Sequence, residues 1–304
     1  MPKRHRDMTP GIEWNNLPAG IRGGLWMASA AGSFTIMTAL IREVATDVHP
    51  FEIAFFRALT NLLLMIPYVI RTRGVGLKTK NHKVFAFRGL CGFTFLMTYF
   101  PGAALIPVAQ SQALIFTSPL WGALLAVLFL GETVRAPRVL ALIVGFAGAL
   151  VILRPGVAEV SLGALLVLAA ALANATSNTI VKFATRSDHP DTIVFYLMVY
   201  VTPMTIVPAL FVWTWPTVGQ LLLLFGVGVF ATLNQRFLSR AFANADVTAV
   251  LPFDFTRLPF AAIIGFLVFA ELPDIWVWVG GAVIFAVSVY ITHQEIRGVC
   301  RRPN

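Results

Sequence analysis

Ten apolar stretches, each close to the length of a membrane crossing, follow one another along this chain with few charges inside them. Broken at charges and at Pro/Gly clusters, they run over 23–41, 50–70, 84–103, 107–130, 137–153, 161–181, 191–211, 217–238, 246–270 and 275–293. A helix needs about 20 apolar residues to cross the hydrocarbon core of a bilayer. The connections are too short to form a separate domain, and the longest, Arg71 to Lys83, is strongly basic. Charged residues make up 12% of the chain and apolar ones 58%. Soluble domains carry about 25% charged residues, so this chain cannot present a solvated surface all round. It reads as an all-α integral membrane protein of ten transmembrane helices.

The net charge of +9 would suggest a nucleic-acid partner in a soluble protein. Here the basic residues lie between apolar runs and report topology instead, so no nucleic acid is expected. With ten crossings both termini share one side. That side holds 17 of the 23 Lys and Arg residues, among them Lys3, Arg71, Lys78, Arg135, Lys182, Arg240 and Arg301. The other side holds 2, Arg42 and Arg154, while Arg57, Arg88, Arg236 and Arg257 fall inside spans. The tails 1–22 and 294–304 are therefore expected in the cytoplasm, in a bacterial inner membrane. The first tail lacks a small-residue cleavage site, so the first apolar run reads as a retained helix. Cys91 lies in an apolar run and Cys300 in the basic tail, which implies neither a disulfide framework nor a metal cluster.

The chain repeats itself at an offset of 140 residues. From Gly23 it reads GGLWMASAAGSFTIMTALIREVATDVHPFEIAFF, and from Gly163 GALLVLAAALANATSNTIVKFATRSDHPDTIVFY. Arg42 matches Lys182, His49-Pro50 matches His189-Pro190, and Phe55 matches Phe195. SPLWGALLAVLFLGE from Ser118 also aligns with RLPFAAIIGFLVFAE from Arg257, the offset having slipped by one. Each copy has a mid-span proline and a closing acid, Glu132 or Glu271. The copies are 23–153 and 161–293. A unit of five helices crosses an odd number of times, so the second copy starts on the opposite side and the repeat is inverted. Inverted repeats are the architecture of alternating-access carriers, with the solute site near the midplane between the halves. A channel, a scaffold or a membrane enzyme with duplicated helices is the alternative.

Four segments carry a family resemblance: FFRAL at 55–59, RGLCGF at 88–93, PVAQSQALIFTSPLWGALLAVLFLGETV at 107–134 and RAFANADVTAVLPFDFTRLPFAAIIGFLVFAELPD at 240–274. The chain resembles the drug/metabolite transporter superfamily, specifically proteins with two EamA-type domains. The resemblance implies a ten-helix carrier with cytosolic termini and a central cavity lined by helices 1, 3, 4, 6, 8 and 9. It also implies a small-molecule solute. Members are mostly exporters of amino acids, metabolites, drugs or opine-type metallophores, and some import S-adenosylmethionine or riboflavin.

Charges inside a span are costly and face a wet interior or a partner. Asp254 and Arg257, three apart on one helical face, can pair within the ninth helix. At ~1.5 Å per residue Arg257 lies about 16 Å from Asp246, near mid-bilayer. Pro252 and Pro259 flank the pair and free carbonyls on preceding turns. The pair is either the solute site or a structural link to a neighbouring helix. Arg57, about 10 Å below the outer surface, could bind solute, gate, or salt-link to Glu52. Arg88 and Arg236 lie nearer the cytoplasmic ends, where snorkelling to headgroups is the default. Gln112, Asn174 and Asn178 are within reach of the cavity in the family arrangement. Helix–helix hydrogen bonding is the alternative for them. Tyr99 and Trp121 could stack on a solute or merely pack. Pro119, Pro259 and Glu52 are candidates for gating or coupling. Trp213, Trp215, Trp276 and Trp278 read as interface anchors.

All five histidines fall in loops or at span ends, and there is no HExxH, GxSxG or P-loop. No enzyme, cofactor or metal is expected, and transport without an ATP-binding domain would be secondary or facilitated. The expectation is a monomer or homodimer in the lipid bilayer that exports an amino-acid-like or carboxylate-bearing compound. An importer of a nucleotide-like or vitamin solute is the alternative, and a non-transporting membrane enzyme or assembly factor is the alternative from another class.

Overall fold

The computed structural model describes residues 19–71, 79, 81–118, 120–122, 124, 136–153, 161–184, 188–244, 253–254 and 256–299. Among them lie ten α-helices and no strand: α1 Ala19–Val44, α2 Pro50–Arg71, α3 His82–Leu105, α4 Val108–Ile115, α5 Ala136–Leu153, α6 Leu162–Ala184, α7 Pro190–Phe211, α8 Val218–Asn244, α9 Arg257–Phe269 and α10 Ile275–Val299. Pro119, Pro252 and Glu132, singled out by sequence, lie outside the described residues. Helices α1, α2, α3, α6, α7 and α8 are long and apolar enough to cross a membrane. Large apolar side chains such as Phe211 (85% exposed), Leu267 (72%) and Ile70 (69%) point away from the protein, as helices bathed in lipid require. Hydroxyls within these helices return to the preceding turn, as Thr35 does to the Ala31 carbonyl at 2.9 Å. That satisfies them where water is absent.

The fourth and ninth spans depart from the continuous helices expected over 107–130 and 246–270. α4 stops at Ile115, a turn follows at Phe116–Thr117, and helical structure resumes at Ser118. α9 starts at Arg257, after a turn at Thr256. The hydrogen bonding at the two breaks is the same. Thr117 Oγ1 donates to the Leu114 carbonyl at 2.8 Å, and Thr256 Oγ1 donates to the Phe253 carbonyl at 2.7 Å. Both residue pairs match at the offset that aligns Ser118 with Arg257. Ser118 Oγ donates to the Ile115 carbonyl at 2.9 Å. Pro259 falls in the first turn of α9, where a missing donor costs little. It therefore marks where the helix restarts and does not kink it.

The most extensive helix pairings map onto one another when α1–α5 are exchanged with α6–α10. α1 packs on α8 and α3 on α6; α2 packs on α8 and α3 on α7; α9 packs on α1 and α4 on α6. α2–α7 and α5–α10 are their own counterparts. The closest approaches obey the same exchange. A methyl at Gly228 in α8 would overlap the β-carbon of Thr60 in α2, and one at Gly89 in α3 would lie 2.5 Å from the β-carbon of Tyr200 in α7. Only glycine permits either approach.

Contacts between helix ends fall into two groups that match the alternation of crossings. At one end Arg42 forms a two-pronged ion pair with Glu271, Glu52 accepts from Thr214, and Gln220 reaches Asp47 at 3.5 Å. At the other, Tyr68 meets Thr192 at 3.1 Å, Asn81 meets Asp188 at 3.1 Å, and Arg236 meets Asp191 at 3.1 Å. Glu271 is turned toward Arg42 by Ala270, whose φ of 53° is left-handed. The Glu271 N–H bonds the Gly265 carbonyl at 3.0 Å across this cap.

Candidate substrate site

The two helix breaks bring charge and aromatic rings together inside the bundle. Arg257 opens α9, and its guanidinium meets Asp254 Oδ1 at 2.7 Å, with the two side chains 11% and 16% exposed. The guanidinium carbon lies 4.8 Å from the Phe34 ring centroid and 5.8 Å from that of Phe116. α1 thus supplies one ring and the α4 break the other. A desolvated cation over a ring is stabilised by about 2 kcal/mol. The close approach of α1 to α9 rests on the small-residue run at 28–32: Gly32 faces the Phe260 ring, which a β-carbon would meet at 3.4 Å.

Phe34 connects this pair to a buried hydroxyl network. Its ring lies 5.3 Å from that of Tyr99 in α3. Thr38 donates to the Phe34 carbonyl at 2.9 Å, so its one proton is used. It therefore accepts from the Tyr99 hydroxyl at 2.8 Å and from Gln112 Nε2 at 3.0 Å. Tyr99 and Gln112 are fully buried. Among the described residues, the buried polar atoms of this region without a hydrogen-bond partner include Gln112 Oε1 and Trp121 Nε1. One is an acceptor and the other a donor. Orphaned buried groups cost about 1–3 kcal/mol each, so a solute that pairs with them regains that energy. Trp121 packs edge-on against Phe146 at 4.9 Å. In α6, Asn174 donates to Ser118 Oγ at 3.2 Å. By the repeat offsets this pair is the counterpart of Phe34 under Arg257.

Of the residues expected at the site, Arg257, Asp254, Tyr99 and Gln112 come together around Phe34, while Asn174 and Trp121 gather at the α4 break. Asn178 is half-buried with no hydrogen bond among the described residues. Glu52 has no ion pair with Arg57 there; its carboxylate accepts from the Thr214 N–H at 3.2 Å and hydroxyl at 3.0 Å, tying α2 to the α7–α8 connection. Arg88 and Arg236 are both held by protein partners. Arg88 is 2% exposed and donates to the Ile193 carbonyl at 2.8 Å, and Arg236 pairs with Asp191. Phe34, Thr38 and Phe116, which the sequence does not single out, complete the surroundings of Arg257 and Gln112. Phe34 and Thr38 could have been found: they are the offset-140 counterparts of Asn174 and Asn178.

The model of the EamA-like transporter family matches residues 21–154 and again 161–292. The chain belongs to the EamA-like transporter family. It is a membrane transporter of the drug/metabolite type, with a small-molecule solute. A riboflavin transporter of Vibrio cholerae is 32% identical over 93% of this chain and 97% of its own. An S-adenosylmethionine uptake transporter of Rickettsia bellii is 28% identical over 91% of this chain and 95% of its own. A pseudopaline exporter of Pseudomonas aeruginosa is 31% identical over 90% of this chain and 98% of its own. Uptake and export are both found at this level of similarity.

Proposed function

We propose that this protein is a secondary carrier of ten membrane spans in two inverted repeats, with both termini cytoplasmic, in a bacterial inner membrane. Its solute is a small, amino-acid-like or carboxylate-bearing organic compound, moved outward. The carrying observation is Arg257, held between Phe34 and Phe116 at a helix break with Asp254 as its only ion-pair partner among the described residues. A solute carboxylate takes the place of Asp254 on the guanidinium, in the fork geometry that arginine offers a carboxylate. Gln112 Oε1 and Trp121 Nε1 receive the solute's remaining polar groups. Asp254, displaced, is the group positioned to bind a coupled proton. The broken spans supply backbone that can change its hydrogen bonding as the halves rock.

A second reading, uptake of a flat heterocyclic solute, draws on the rings of Phe34, Tyr99 and Phe116 and on the similarity to a riboflavin transporter. Proteoliposomes loaded with labelled zwitterionic amino acids, riboflavin or S-adenosylmethionine separate the two. Counterflow of an amino-acid-like solute, lost in Arg257→Ala, supports the first, and counterflow of riboflavin alone replaces it with the second. If no solute gradient in a broad metabolite panel dissipates, the carrier reading fails and a non-transporting role takes its place.

A further inference from the structure

Arg57 and Asn61 stand one turn apart on the same face of α2. Arg57 is 5% exposed and Asn61 not at all. Neither is satisfied: Arg57 Nε and both amide atoms of Asn61 are buried without a hydrogen-bond partner. No ion pair to Arg57 exists among the described residues, since the nearby Glu52 is bonded to Thr214. The helical rise puts Asn61 about 16 Å from the start of α2, near mid-bilayer. A buried cation with no counter-ion and an amide with neither donor nor acceptor engaged are each strongly destabilising.

The repeat shows that the fold does not need this polarity. At the offset of 140, Arg57 corresponds to Leu197 and Asn61 to Val201. The register is fixed independently by Thr60 against Gly228 and Tyr200 against Gly89. In α7, Leu197 and Val201 are buried and pack against α3 at Gly92, where a β-carbon would lie 2.8 Å and 3.2 Å from their side chains. The same structural position is thus filled by ordinary apolar packing in one copy and by unpaired polar groups in the other. α2 packs chiefly on α7, α8 and α3, away from the α4 and α9 breaks.

We propose that Arg57 and Asn61 form a second anion site on α2, separate from Arg257, whose occupant is a carboxylate group carrying a neighbouring donor. The carboxylate accepts from the Arg57 guanidinium and Asn61 Nδ2, and an ammonium or hydroxyl on the same molecule donates to Asn61 Oδ1. An α-amino acid head group meets both demands. The site rests on the carrier reading only in that its occupant is taken to be the solute; the two are tested apart.

The test uses the purified full chain in nanodiscs and reads its Tm against glycine, acetate and chloride. The double variant Arg57→Leu/Asn61→Val copies the residues of the other repeat, so it should fold. Its ligand-free Tm should rise by about 2–4 °C as the unpaired groups are removed. Wild type should show a saturable Tm rise of about 5 °C with glycine, smaller with acetate and absent with chloride, and Arg257→Gln should keep a saturable part of the glycine rise that belongs to the α2 site. The double variant should lose the part of the response that Arg257→Gln keeps, and the triple variant that adds Arg257→Gln should show none. A fall in the double variant's ligand-free Tm would make the polar pair structural and overturn the site. An unchanged glycine response in the double variant, lost in Arg257→Gln, would also overturn it while leaving the central site standing. A response to chloride alone would make it an inorganic-ion site and overturn the carboxylate assignment.

Discussion

Arg257 and Arg88 carry the same charge inside the bundle and solve the problem of burial differently. Arg88 spends its guanidinium on the Ile193 carbonyl, a fixed backbone acceptor. Arg257 faces a side-chain carboxylate and two rings, partners that a solute can replace or share. Arg257→Ala should therefore abolish flux in proteoliposomes while the protein still inserts, and it should lower stability by about 3–5 kcal/mol because Asp254 is left buried and unpaired. Arg257→Gln with Asp254→Asn should recover most of that stability, read as Tm, and none of the flux. Recovery of flux in the double variant would make the pair merely structural. The pairing of Asp254 with Arg257 was legible from their spacing alone. The burial of Arg88 was not, because a single arginine near a span end can reach either headgroups or a carbonyl, and sequence does not say which way the helix is turned.

The same ambiguity explains what was legible in the elements. Hydropathy places a helix along the membrane normal, and six helices stand where the apolar runs put them. It says little about azimuth, because these helices are apolar around most of their circumference. Asn61 could not be assigned a facing from the sequence, nor could the partner of Glu52. The interruptions at Thr117 and Thr256 were half-visible: the prolines signalled weakened helix, but not that the chain would stop and restart. Close helix approaches give a test at this scale. Gly228→Ala should cost about 1–3 kcal/mol by overpacking against Thr60, and Gly89→Ala a similar amount against Tyr200. Gly122 has nothing within 4 Å of where its β-carbon would stand, so Gly122→Ala should leave Tm unchanged or raise it. Equal Tm values for all three would mean that the α2–α8 and α3–α7 contacts accommodate a methyl group without cost.

At the scale of the whole molecule, the exchange of α1–α5 with α6–α10 holds for the most extensive helix pairs, for helix breaks and for single glycines. It extends to the caps: His49 Nδ1 accepts from the Phe51 N–H at 3.3 Å, and His189 Nδ1 accepts from the Asp191 N–H at 3.3 Å. These two histidines are repeat counterparts, and both are exposed. If each half contributes five crossings, the counterparts must face opposite compartments. With Cys91 and Cys300 replaced by alanine, His49→Cys should react with an impermeant maleimide on intact spheroplasts, and His189→Cys only after permeabilisation. Lys83→Cys should behave like His189→Cys, since α3 starts at the end where Asn81 meets Asp188. Trp215→Cys should behave like His49→Cys, since the α7–α8 connection binds Glu52. Labelling of both histidine positions from one side would make the repeat parallel and remove the topological basis for alternating access. Labelling from opposite sides would make each half the mirror in topology of the other, so that an opening toward one compartment and its counterpart toward the other are made from the same set of contacts.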